Sequence, residues 1–452
     1  MQYRNNGRHV RRYVIVGSGA AGIAAAEAIR SHDPSGEVIL ICEERAGYYS
    51  RPGLAYVLSG ELPERGIFPF SEADFKALGV HRWCARVVRI RPHQHEILLD
   101  SGRSIRFDRL LIATGSTAQL TTVPGNGLQG VVKLDNIDDA QRISKYCRSN
   151  RRAVVVGGGI TALEIVEGLV SRGVSTTYFL RGERYWTNVL DETESHIVEH
   201  RLKEDGVQIC YHTELAEIIG RGGQVVGVRT KDGRTLPCDL VAVAIGVRPR
   251  KELAVEAGLA CDRGILVDPY LQSTIPDIFA AGDVAEIFDL FTQRHSLTTL
   301  WAPARLQGST AGQNMAGSQM AYRNEIPFNV TRLACLTTTI IGTVGRGNDE
   351  DLESIARGDS EIWRQLPDAI AAENYFEVNR LRILVGKNTF VGAIIMGDQT
   401  PSQPLQQLVS AQVDISPIRN QLLERNAKLG EIVTLFWEKW KKAHVSLPAR
   451  PA

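Results

Sequence analysis

The chain has 452 residues, 43% hydrophobic and 23% charged, which suits two to four domains and excludes wholesale disorder. A net charge of +1 gives no global reason to expect nucleic acid or an anionic membrane as partner, and no apolar run approaches the roughly 20 residues of a spanning helix. Seven dispersed cysteines, with no C-x-x-C and no metal-ligand spacing, predict free thiols and no metal; without an apolar leader before Tyr13, the chain reads as cytoplasmic.

A short basic arm (Arg4, Arg8, Arg11, Arg12) opens the chain and reads as a frayed terminus. Residues 13–16 form an apolar strand that runs into Gly17, Ser18, Gly19, Ala20, Ala21 and Gly22. In such a loop the first glycine permits the turn and the second lets the backbone approach a pyrophosphate. The third keeps helix and strand close, and the helix N-terminus faces the anion. An Ala-rich helix is predicted over 20–30, a break at Asp33 to Gly36 by its Pro and Gly, and a buried strand over 38–41. Glu43 and Glu44 follow where an acid can bond ribose hydroxyls; both are cofactor-binding candidates, Glu43 is preferred as nearer the strand end, and the plainer alternative is that one of the two only solvates the turn. Short alternating strands then lead to Ala113, Thr114 and Gly115.

A second loop of the same design follows the strand at 153–156: Gly157, Gly158, Gly159, Ile160, Thr161 and Ala162. Its alternating segments (225–229 and 240–245) close at Gly246, Val247, Arg248 and Pro249. Residues 275–281 then read as a buried strand ending in the Gly282–Asp283 turn. One nucleotide domain interrupted by a second copy of itself is the simplest arrangement, and two such loops imply two dinucleotides with electron transfer between them. The predicted fold is α/β: a first nucleotide domain over 1–122 and 263–330, a second over 123–262, and a third, α+β, over 331–452. In the third, 382–396 reads as strands around a turn at Gly386, Lys387 and Asn388. A Pro- and Gln-bearing stretch (400–407) precedes a terminal helical segment at 418–444.

These motifs, in this order, resemble the two-dinucleotide flavoprotein reductases: glutathione reductase, rubredoxin and ferredoxin reductases, and the flavin region of NADH-dependent nitrite reductase. The resemblance implies two Rossmann-like domains, one inserted in the other, with FAD on the first loop and NADH or NADPH on the second. It makes Ala113–Thr114–Gly115 and Val87 further FAD contacts, and gives Asp283 the ribityl chain. Trp301 and Ala302 resemble the helix start beside the isoalloxazine, where a helix dipole stabilises negative charge on a reduced flavin. Disulfide and coenzyme A relatives carry a reactive Cys just after the ribose acid. Here residues 45–56 hold none, and Cys42 comes too early and is expected to be buried. The segment instead resembles the Tyr-x-Arg-Pro-Pro-Leu-Ser-Lys run of ferredoxin reductases: Arg51, followed by Pro52, matches the Arg that can fork onto a cofactor phosphate. The Lys that approaches the flavin is replaced by Tyr56.

The second domain offers no acid at Leu180, where NADH enzymes of the family carry one; Arg181 and Arg184 follow, suited to a 2′-phosphate. With Ala162 in the third glycine position, NADPH is preferred over NADH. Gly157, Gly159, Ile160, Ala162 and Gly246 complete the expected nucleotide contacts, and Ile160 stands where relatives place an aromatic gate. Glu164 matches the family Glu beside nicotinamide and flavin N5; with Tyr56 and Trp301 it forms the expected catalytic set.

The resulting expectation is an FAD-dependent NAD(P)H oxidoreductase of the pyridine nucleotide-disulfide superfamily. It passes electrons to a protein such as rubredoxin or ferredoxin, or to a small molecule, without a redox-active disulfide. Relatives imply a homodimer. Two alternatives stand: a membrane-surface NADH:quinone dehydrogenase, suggested by Leu435, Phe436, Trp437, Trp440, Lys441 and Lys442, and a non-catalytic flavoprotein sensing nucleotide redox state.

Overall fold

The computed structural model describes residues 10–147, 150–289, 294–345, 357–364, 369–375 and 379–444; Arg4 and Arg8 of the basic arm lie outside them. Strand Arg12–Val16 is central in a five-stranded parallel sheet. The order is Ile278–Ala280, Arg109–Ile112, Arg12–Val16, Glu37–Cys42 and Val80–Cys84. Strands Arg12–Val16 and Glu37–Cys42 are buried on both faces, as their unbroken Val/Ile/Leu runs require. Helix Ala20–His32 lies on one face, with helix Trp301–Met315 against it. Gly308 makes that packing close: a Cβ there would stand 2.0 Å from the Ala21 carbonyl oxygen. The approach brings the start of the second helix beside the first phosphate loop.

The second sheet repeats the plan: Gln208–Cys210, Ser175–Phe179, Arg152–Val156, Leu240–Val243 and Val131–Val132, all parallel. Each nucleotide domain also carries a three-stranded antiparallel sheet: Val87–Arg91, Glu96–Leu99 and Ser104–Arg106 in the first, and Leu215–Arg221, Gln224–Thr230 and Thr235–Pro237 in the second. The copies are joined by antiparallel pairing of Ser116–Ala118 with Val247–Pro249. The α/β fold with an inserted second Rossmann-like copy is therefore what the chain adopts.

The third sheet is antiparallel, in the order Phe328–Leu333, Leu336–Gly342, Phe390–Met396, Arg380–Val385 and Ile370–Tyr375. The stretch read as preceding the terminal helix is itself partly helix, Ser402–Ser410; Pro404 is tolerated in its first turn, where an N–H has no intrahelical partner. The terminal segment is two helices, Arg419–Leu422 and Leu429–His444. Between them Asn426 takes φ +67°, a left-handed turn that no helix continues through. Phe436, Trp437 and Trp440 pack against the third domain's core, and the Trp437 indole donates to Gln407 at 2.7 Å. Those aromatics are used inside the fold, which leaves Leu435 as the exposed apolar residue of the proposed membrane anchor.

Candidate functional site

A cavity of about 760 Å³ lies where the first sheet's carboxyl edge, the second phosphate-loop helix and the third domain meet. Gly17 sits at φ +112°, and a Cβ there would be 2.1 Å from the Ala113 carbonyl oxygen, so strand, loop and the Ala113–Gly115 turn interlock through that one residue. Gly19 is the N-cap of helix Ala20–His32, and among the described residues, its two chain neighbours aside, nothing comes within 4 Å of where its Cβ would stand. That is the open cradle a diphosphate needs before a helix N-terminus. Ser18, Ala20 and Ala21 line the same wall, with Ser18 Oγ donating to Cys42 Sγ at 2.8 Å. Cys42 is half-buried and itself lines the cavity, where burial was expected. Gly22 does not line it; its role is helix-to-strand contact, since a Cβ would meet the Gly17 oxygen at 1.9 Å.

The two glutamates at the end of strand Glu37–Cys42 have different surroundings. Glu44 pairs with Arg51 and accepts from the Tyr49 hydroxyl at 2.6 Å. Glu43 faces the cavity and, among the described residues, makes a loose pair with Arg86 at 3.8 Å. Arg51 is held between Glu44 and the Asp135 carbonyl oxygen, at 2.5 Å from the latter. Its two terminal nitrogens already have protein partners. Pro52, Val87, Thr114 and Gly115 also border the cavity. Asp283 presents its carboxylate beside Gly282, with one oxygen accepting from Ser116 Oγ at 2.6 Å. Helix Trp301–Met315 points its N-terminus at the same space, and no side chain caps it. Trp301 lines the rim and is 47% exposed, with the Arg305 guanidinium over its ring at 5.3 Å; Ala302 lies outside the lining.

Ile160, Thr161 and Glu164, on the first turns of helix Ile160–Val170, close the opposite wall. Burial pushes the Glu164 carboxyl up to about 8; Glu167 adds to this, and Arg357 and Arg332 oppose it. Tyr56 also lines the cavity, with the Arg332 guanidinium 5.3 Å from its ring centre. Gly157 takes φ +149° in the second loop, and the space at Gly158 is open. Gly159 and Gly246 line an adjoining pocket of only about 10 Å³, no more than one water. Ala162 is fully buried against its strand. Arg181 is exposed and Arg184 pairs with Glu183 at 3.2 Å; neither borders the two cavities.

An ion-pair cluster that reaches the cavity through Arg250 and Arg357 carried no sequence signal. Asp135 is fully buried and paired with Lys133 at 3.2 Å, with Arg250 at 3.3 Å and with Arg357. Burial alone would raise its pKa, but Arg357, Lys133 and Arg51 outweigh it and hold the carboxyl below the usual carboxylate range. Arg357 comes from the third domain, and Asn329 and Thr331, on the third sheet's strand Phe328–Leu333, also stand on the cavity wall. Ser116 directly follows Gly115 and was within reach of motif reading; Arg357 lies in a stretch with no motif at all.

The family model for pyridine nucleotide-disulphide oxidoreductases matches residues 11–308. The assimilatory nitrate reductase electron transfer subunit of Bacillus subtilis is 26% identical over 92% of this chain, which spans about half (51%) of that relative's length. The ferredoxin–NAD(+) reductase component of the biphenyl dioxygenase system of Paraburkholderia xenovorans is 32% identical, over 77% of this chain and 84% of that one. Among solved structures, an engineered water-forming NADPH oxidase bound to NADPH, derived from a Lactobacillus brevis enzyme, has a TM-score of 0.79 at 19% identity. The match covers 96% of this chain and 99% of that one. The chain belongs to the pyridine nucleotide-disulphide oxidoreductase family.

Proposed function

We propose that this family member is an FAD-dependent NADPH oxidoreductase that works in the cytoplasm. It hands electrons to an external acceptor, an iron–sulfur or rubredoxin-like protein or a small molecule, without a protein disulfide. The supporting observation is one cavity walled by both nucleotide domains: Gly17 to Ala21 and Asp283 on one side, Ile160 and Glu164 on the other. FAD, when bound, accepts two electrons from the nicotinamide and can release them singly or together. The open cradle at Gly19 and the uncapped helix start at Trp301 would hold its diphosphate and its pyrimidine edge. Glu43 suits its ribose and Asp283 its ribityl chain. Glu164 stays largely protonated at neutral pH, so it can donate a hydrogen bond toward the nicotinamide carboxamide. Tyr56 gives that wall a neutral face where relatives have a cation. The half-exposed Trp301 marks the rim an acceptor would approach.

The choice of NADPH rests on the second loop. The engineered NADPH oxidase replaces a glycine by alanine, an aspartate eighteen positions later by alanine, and the next residue by arginine. This chain has Ala162, then Leu180 eighteen positions later, then Arg181. The biphenyl relative is named for NAD(+), so the two nucleotides are tested side by side. The FAD-loaded protein is expected to show at least about 10-fold higher kcat/KM with NADPH than with NADH, using a ferredoxin or ferricyanide as acceptor. Equal or reversed preference removes the NADPH assignment, and no turnover with either removes the enzyme. A homodimer through residues 331–452 belongs to the same proposal; light scattering that gives one chain per particle contradicts it.

A further inference from the structure

The third domain sends one segment into the junction between the nucleotide domains. Gly358 N–H donates to the Thr299 carbonyl at 3.1 Å, and Thr299 N–H to the Asp359 carbonyl at 3.0 Å. Leu297 N–H donates to the Glu361 carboxylate at 3.0 Å. These bonds fix the segment on the residues just before helix Trp301–Met315. Gly358 then lies against Ile160, its Cβ position 3.6 Å from Ile160 Cδ1.

Arg357 is thereby held where the two cavities meet, and it lines both. One terminal nitrogen pairs with Asp135, while its Nε is buried and has no partner among the described residues. Asp135 is also served by Lys133 and Arg250. Asp139, 3.9 Å from Lys133, takes part of that charge, yet positive charge stays in excess around Asp135, and of these groups Arg357 is the one that lines the pocket beside Gly159 and Gly246. A buried, unused donor next to surplus positive charge, on the path from a phosphate loop to the flavin cavity, calls for an anion.

We propose that Arg357 is a pyridine-nucleotide-binding residue supplied by the third domain, and that it takes a diphosphate oxygen of the bound dinucleotide. The inference rests on the pyridine-nucleotide reading above and adds a contact from outside both nucleotide domains. It also explains why a pocket of about 10 Å³ lies beside the second loop: the guanidinium occupies space that the diphosphate will share. A charge-assisted contact of this kind is worth about 10-fold or more in affinity.

The test uses the FAD-loaded full chain and the variants Arg357→Met and Arg357→Lys. NADP+ and adenosine 2′-monophosphate, which keeps the 2′-phosphate and has no 5′-phosphate, are titrated by calorimetry or flavin fluorescence. The expected result for Arg357→Met is NADP+ binding weakened about 10-fold or more, with the monophosphate weakened less than about 2-fold and partial recovery in Arg357→Lys. Flavin content should match the parent protein; flavin loss with unchanged NADP+ affinity would assign Arg357 to the FAD diphosphate and overturn the proposal. Equal weakening of both ligands would make Arg357 only a structural partner of Asp135, and no weakening of either would also overturn it. If the parent protein binds neither ligand, the pyridine-nucleotide reading itself has failed, an outcome distinct from all of these.

Discussion

In the first phosphate loop the third glycine is obligatory, because a Cβ on Gly22 would stand 1.9 Å from the Gly17 carbonyl oxygen. In the second loop Ala162 fills that place and is fully buried without displacing its strand. Both loops border the cavity of about 760 Å³, the first through Gly17 to Ala21 and the second through Ile160 and Thr161; the second also borders a pocket of about 10 Å³ into which the third domain reaches with Arg357. One backbone plan thus serves two tasks. The first copy is a tight, prebuilt seat suited to a resident cofactor. The second is looser at the loop and more crowded in front of it, as suits a nucleotide that comes and goes.

The sharpest break of that comparison is Gly17→Ala. It forces a side chain onto φ +112° and against the Ala113 oxygen at 2.1 Å, and is expected to cost about 3 kcal/mol or more and abolish flavin retention. Gly19→Ala should separate seat from scaffold: with open space at that position, Tm should hold while flavin affinity falls. A large loss of Tm there would show that the cradle is structural. Next in size is Asp135→Asn, which leaves Arg357, Arg250 and Lys133 around a neutral group and should cost about 3 kcal/mol in urea unfolding at pH 7. Because the folded carboxyl titrates below its unfolded value, its contribution is present above about pH 4 and lost as pH falls further. The parent–variant difference should therefore shrink in acid; a constant difference contradicts this.

Glu164→Gln is the smallest and most specific change. The folded Glu164 pKa of about 8 lies above the ordinary carboxyl value, so the folded state holds the proton more tightly. Stability from this group then falls as pH rises from about 4.5 to 8. Glutamine should remove that fall and stabilise the protein by about 1–2 kcal/mol at pH 8, with little effect at pH 4. The rate of flavin reduction by NADPH should lose a pH step near 8 in the same variant. A retained step would assign it to another group.

The duplication, both sheets and one wall of the large cavity were legible because glycines and buried strands write a local signal. Gly17, Glu43, Ala113 to Gly115 and the Gly282–Asp283 turn all border one cavity, as their motif spacing suggested. What escaped was set by distant packing. Nothing near residue 357 announces that its guanidinium meets Asp135, 222 positions away in sequence. The terminal helix was read as one segment because its apolar pattern runs across Asn426, whose left-handed backbone breaks it. Its aromatics suggested a membrane face, and only the fold reveals that they cover the third domain's own core.

On this reading a flavin held by the first loop lies within reach of a nicotinamide held by the second. Anaerobic titration of the FAD-loaded protein with NADPH, followed by the flavin's visible absorbance, tests it most directly. Bleaching complete at one NADPH per chain is the predicted result; an unchanged spectrum with excess NADPH and with excess NADH would contradict it.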